Sequence, residues 1–238
     1  MLRSLKELKG YRLHATDGEL GDVRDFYFDD VHWTIRYLVA DTARWLPGRR
    51  VLLSTASLGE PSWEERSIPV ALTKERIKRA PDVESDRPLS RQREIELARH
   101  YAWPEYWGVG GPVVPPAPSE LRTPARKADP HLRSLSEVVG YDVVARTDRI
   151  GRVDDLIADT ASWVVRYFVV DAKKWRPGGE VLLAPSWVER IDWAEHGLFT
   201  ELSTDALHAC PPYDATEGVN RAYEQQLYDY LGRPKYWV

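Results

Sequence analysis

Trp33-Thr34-Ile35-Arg36-Tyr37-Leu38-Val39-Ala40-Asp41 alternates aromatic and β-branched residues with others, and reads as a buried strand. The same stretch returns 130 residues later as Trp163-Val164-Val165-Arg166-Tyr167-Phe168-Val169-Val170-Asp171. The register holds outward in both directions without a gap. Leu2-Arg3-Ser4-Leu5 falls on Leu132-Arg133-Ser134-Leu135, and Gly10-Tyr11 on Gly140-Tyr141. Val51-Leu52-Leu53 falls on Val181-Leu182-Leu183, Trp63 on Trp193 and Pro81 on Pro211. Pro104-Glu105-Tyr106-Trp107 falls on Pro234-Lys235-Tyr236-Trp237. Roughly a third of the paired positions are identical, so the chain is an internal duplication. Its repeats span 1–108 and 131–238. Residues 109–130, with Gly110-Gly111-Pro112 and Pro115-Pro116-Ala117-Pro118, have linker composition.

Within one repeat, Ser4-x-x-Glu7 and Ser134-x-x-Glu137 have capping-box spacing and predict one helical turn before the glycine. Tyr11–Ala15 reads as a strand, and Asp17-Gly18 as the turn of a hairpin into Leu20–Phe28. Pro47-Gly48 marks a further turn, and Ile68–Leu72 a strand that Pro69 confines to an edge. Thr73 and Ser203 are placed to cap short helices, and Ser90 and Asn220 to cap Arg91–Tyr101 and Arg221–Leu231. The last helix shows Tyr223, Leu227, Tyr230 and Leu231 as an apolar stripe. About five short strands separated by turns predict a small barrel per repeat, mainly β with helical additions.

Composition narrows function. The formal net charge is −4, which does not suit a nucleic-acid or acidic-membrane partner. One cysteine, Cys210, excludes an internal disulfide and fits a cytoplasmic location. The charged N-terminus lacks a signal-peptide core, and no apolar run approaches the ~20 residues of a membrane helix.

Gly10-Tyr11 before a hairpin, Gly21-Asp22-Val23 before an aromatic strand, the strand Trp33–Asp41 and the run Ile68–Pro81 together resemble a PRC-barrel domain, in both repeats. That family includes the cytoplasmic part of the photosynthetic reaction-centre H subunit and the C-terminal domain of ribosome-maturation factors. The resemblance implies small β-barrels used for assembly and protein contact, without catalysis. The chain is most similar to stand-alone bacterial members with two barrels. Neither the H subunit's membrane helix nor the ribosome factors' extra N-terminal barrel is read in the sequence, so neither anchoring to a reaction centre nor a ribosomal role is expected.

A search for chemistry returns nothing duplicated. The six histidines form no HxH or HExxH pattern, and none pairs with another across the repeat, so no metal site is expected. The carboxylate pairs Asp29-Asp30, Glu64-Glu65 and Asp154-Asp155 are neighbours on strands, which point apart, and are read as solvating turns and strand ends. There is no G-x-S-x-G elbow, GxGxxG fingerprint or P-loop, so neither a catalytic residue nor a cofactor is assigned. Asp41 and Asp171 are placed to bond backbone N–H groups of the following turn, with Arg36 and Arg166 as their ion partners or as solvent-facing residues. Tyr106, Trp107, Tyr236 and Trp237 are the candidate docking or interface residues, expected to pack with each tail helix on the neighbouring barrel. The leading expectation is therefore two barrels about an approximate two-fold axis, acting as a non-catalytic adaptor for a protein partner or for a second copy. An RNA-processing or ribosome-associated factor, and a ligand binder or enzyme using an aromatic pocket between the barrels, are the alternatives.

Overall fold

The structure is a computed structural model that describes residues 1–47, 49–81, 89, 91–105, 132–146, 148–173 and 179–237. The linker 109–130, Tyr106, Trp107, Ser90 and the turn glycines Gly48 and Gly178 lie outside the described residues. The fold is mainly β, with 40% strand against 24% helix among the described residues.

The first repeat runs β1 (Leu2–Ser4), α1 (Leu5–Leu8), β2 (Arg12–Ala15), β3 (Gly18–Asp29), β4 (Thr34–Asp41), β5 (Arg50–Ser54), β6 (Ser67–Pro69), α2 (Lys74–Lys78) and α3 (Arg91–Tyr101). The second runs β7 (Leu132–Ser134), α4 (Leu135–Val138), β8 (Asp142–Ala145), β9 (Asp148–Asp159), β10 (Val164–Asp171) and β11 (Glu180–Leu183). It continues through β12 (Val188–Asp192), β13 (Gly197–Thr200), α5 (Thr204–Ala209) and α6 (Arg221–Leu231). Local chemistry explains most of these boundaries. The Ser4 and Ser134 side chains accept from the backbone N–H of Glu7 and Glu137. Thr73, Ser203 and Asn220 cap α2, α5 and α6 in the same way. Helix α6 ends on Gly232, whose φ of +61° is the left-handed cap conformation that glycine adopts without strain.

The chain divides into two compact units that do not follow the repeats. One consists of Gly10–Asp30 and Arg36–Arg133 and is called here the repeat-1 unit. The other consists of Met1–Lys9, Val31–Ile35 and Ser134–Val238 and is called the repeat-2 unit. In the repeat-1 unit the strand order is β4-β3-β2-β6, with β5 beside β4 and β7 beside β3. Strand β6 runs parallel to β2 and ends the order, which suits Pro69, a residue with no N–H to donate. Leu13, Phe26, Phe28, Leu38 and Leu53 are fully buried there.

In the repeat-2 unit the order is β12-β13-β8-β9-β10-β11. The twelve-residue β9 pairs with β8 through its first half and with β1 through its second, in the register Leu2↔Asp159, Arg3↔Ala158 and Ser4↔Ile157. The strand Leu2–Ser4 was not expected from the sequence, because three residues without alternation carry no strand signal. Leu5 and Leu8 of α1, both fully buried, belong to the same unit. No pairing among the described strands closes either sheet.

The duplication is written into the backbone as well. Trp33 and Trp163 both take positive φ (56° and 55°), as do Arg66 and His196 (48° and 55°). Each such turn costs a non-glycine residue about 1–2 kcal/mol. Gly21 and Gly151 are required sterically, since a Cβ on either would collide with the backbone carbonyl of Asp41 or Asp171.

Candidate functional site

Two polar arrangements stand out, and the sequence reading missed both. The first is duplicated. In the repeat-1 unit the Tyr37 hydroxyl donates to Glu94 at 3.0 Å, and Arg91 lies 2.8 Å from the same carboxylate. In the repeat-2 unit Tyr167 donates to Glu224 at 2.7 Å, and Arg221 lies 3.0 Å away. Glu94 and Glu224 are 0% and 2% exposed, so both acids point inward. The burial of α6 therefore follows Glu224, Leu227 and Tyr228, and Tyr230 is 48% exposed. This corrects the stripe expected from apolar residues alone. It also corrects the view that no polar constellation is duplicated. The physical reason is that a carboxylate loses its solvent-facing preference once charge-assisted hydrogen bonds replace water. Burial and the Glu224 carboxylate both push the Tyr167 hydroxyl well above its ordinary range.

The aromatic tail joins this arrangement. Tyr236 donates to Glu224 at 2.7 Å, and its ring lies 4.2 Å from the Arg166 guanidinium carbon. Trp237 meets Tyr228 edge-on at 4.9 Å and lies under Arg221. Tyr236 and Trp237 thus dock on their own unit, not on a neighbour as the sequence suggested. In the repeat-1 unit Tyr101 and Trp103 are stacked at 4.2 Å, with the Trp103 indole N–H on Ser57, the counterpart of Trp187.

The other sequence candidates are spread out. Asp41 and Asp171 each accept from a backbone N–H two residues on, those of Ala43 and Lys173, at 3.1 Å. Arg36 is not an ion partner of Asp41. It pairs at 2.6 Å with Asp29, which is 4% exposed and so does not solvate a strand end. Arg166 is likewise no partner of Asp171, its guanidinium being committed to the Tyr236 ring.

The second arrangement is a groove of about 350 Å³ on the repeat-2 unit. Its walls are α1, the middle of β9, the start of β11 and the segment after α5. Asp155 lies on its floor, 6% exposed. Its carboxylate accepts from the Ser4 hydroxyl, from Lys6 N–H at 2.9 Å and from Leu156 N–H at 2.7 Å. Burial dominates over these bonds and raises its pKa to about 6. Asp154 lines the same groove and binds the Lys6 ammonium at 2.9 Å. Neighbours on a regular strand would diverge, but β9 changes register between Val153 and Asp155, and this bulge brings both acids to one groove. The reading of Asp154-Asp155 as a solvated turn pair is thereby corrected. Glu7, Glu180 and Tyr213 complete the rim, and a smaller cavity of about 150 Å³ adjoins it past Tyr213. No group of histidine, cysteine and carboxylate side chains among the described residues is arranged to hold a metal.

Short antiparallel strands, a parallel-paired return strand and capped single-turn helices, with polar groups turned inward to brace them, define a small β-rich domain. Residues 130–195 match the family model of the PRC-barrel domain. No curated protein matches the chain with significant similarity.

Proposed function

We propose that the chain is a non-catalytic assembly adaptor built from two tandem PRC-like barrels, binding another protein through its surface. The observation that carries this reading is how the interior polar groups are used. In each unit the buried Tyr–Glu–Arg arrangement is consumed in fastening a helix to the sheet. A general acid or base must present a proton to a substrate, and Glu94 and Glu224 face tyrosine hydroxyls instead. The PRC-barrel match on residues 130–195 supports the same class. The acidic groove and a net charge of −4 weigh against an RNA role. No helix among the described residues is long and apolar enough to cross a membrane.

The test is affinity capture with the tagged full chain from its native cell extract, with and without RNase. A protein recovered specifically under both conditions supports the adaptor reading. Ribosomal proteins that disappear on RNase treatment favour the RNA alternative and overturn it.

A further inference from the structure

We propose that the groove beside α1 on the repeat-2 unit is a binding site for the ammonium or guanidinium of a basic side chain on a partner polypeptide, held by Glu7, Asp155 and Glu180 around the Tyr213 hydroxyl. The inference deepens the adaptor reading and rests on it.

Three observations converge. The first is charge. Lys6 is committed to Asp154, with both carboxylate oxygens 2.9 Å from its ammonium. Glu180 has only Lys173 at 3.8 Å, and Glu7 has no ion pair among the described residues. The groove therefore retains net negative charge in a partly desolvated place, where a cation gains most.

The second observation is Tyr213. It is 7% exposed, it lines both cavities, and its hydroxyl has no hydrogen-bond partner among the described residues. The hydroxyl opens at the groove mouth, within reach of a donor or acceptor on a bound side chain. Burial, then the charges of Asp155, Glu180 and Glu7, push this hydroxyl up to about 12, which places it in their field.

The third is divergence within the duplication. The counterparts of Asp154, Glu180 and Tyr213 in the first repeat are Arg24, Arg50 and Val83. Two arginines stand for two acids and Ser136 for Lys6, so the net charge of −3 on this set falls to zero, and the hydroxyl is lost, while Ser4, Glu7 and Asp155 keep their counterparts Ser134, Glu137 and Asp25. Residues needed only to brace the fold, such as Glu94 and Glu224, are the same in both repeats. The acidic groove is thus a property of one repeat, superimposed on a shared frame. A volume of about 350 Å³ lies at the small end of ligand sites and suits one extended side chain.

The test is a ¹⁵N NMR titration of the full chain with the peptide Ala-Ala-Lys-Ala-Ala, blocked at both ends, and with its norleucine counterpart. Amide signals of Lys6, Glu7, Asp155 and Tyr213–Ala215 should move with the lysine peptide only. The double variant Glu7→Gln with Glu180→Gln should weaken binding about tenfold, and Tyr213→Phe about fivefold, with unchanged melting temperatures. Equal shifts with norleucine, no binding, or unchanged affinity in the double variant overturns the proposal. Butylamine binding as tightly as the peptide overturns the polypeptide occupant in favour of a free amine. The double variant also serves as bait beside the unaltered chain. A partner captured equally by both removes this site and leaves the adaptor reading standing. Peptide binding with no captured partner removes the adaptor reading instead.

Discussion

Replacing Asp155 by asparagine should stabilise the protein at neutral pH and leave it unchanged in acid. The carboxyl is 6% exposed, and its pKa rises from an ordinary 3.8 to about 6 because burial disfavours the charged form. The folded state therefore binds this proton more tightly than the unfolded chain does. Stability from the neutral carboxyl is complete below about pH 3.8 and is lost as pH rises through about 6. At roughly 1.4 kcal/mol per tenfold change, the loss amounts to about 3 kcal/mol. Asparagine keeps an oxygen for the N–H groups of Lys6 and Leu156, and its amide nitrogen can donate to the Ser4 hydroxyl oxygen. Urea unfolding of the unaltered protein and Asp155→Asn, compared from pH 4 to 7.5, should show a difference that grows from near zero to about 3 kcal/mol in favour of asparagine. Taking the difference cancels the carboxylates common to both proteins. A side-chain ¹³C titration of Asp155 should have its midpoint near 6. A midpoint near 3.8, or a stability difference that is flat with pH, would refute the reasoning.

Leu8→Ala empties a fully buried site in α1 and should cost about 2–5 kcal/mol, read as a lower urea midpoint, with signals of β9 losing hydrogen-exchange protection first. Glu224→Ala leaves the hydroxyls of Tyr167 and Tyr236 without their acceptor and should destabilise by about 2–4 kcal/mol in thermal melts, and Glu94→Ala should show the same direction. Truncation after Lys235 removes the Tyr236 bond to Glu224 and the Trp237 contact with Tyr228. A melting temperature lower by a few degrees is expected by calorimetry, and an unchanged one would mean that the docked tail contributes nothing.

Capping and hairpin signals were readable residue by residue because they act over three or four positions. Ser4, Thr73, Ser203 and Asn220 cap the helices that their spacing predicted. The hairpin at Asp17-Gly18 joins β2 and β3, with the Asp17 carboxylate also accepting from Lys74 N–H at 2.8 Å. Misreadings gather where charge goes inside. Asp29 and Asp155 read as solvating residues, yet Arg36 and Ser4 meet them in the interior, and Glu224, which lies outside the apolar stripe, is buried against Tyr167. The bulge that brings Asp154 and Asp155 to one groove shows in the sequence only as two acids between Val153 and Leu156, which does not say that they share a face.

Local pattern carried the 130-residue register, the mainly β class, the helix caps and the resemblance to the PRC-barrel domain that residues 130–195 match. These rest on local spacing and on self-similarity, which need no knowledge of the folded chain. Tertiary structure alone decided that residues 1–9 complete the unit of the second repeat, that a Tyr–Glu–Arg arrangement braces each unit, and that an acidic groove opens beside α1. The reason is that strand partners and ion partners are chosen by free energies of desolvation and pairing between segments up to 158 positions apart, as for the Met1 ammonium and Asp159. No short-range pattern carries that information.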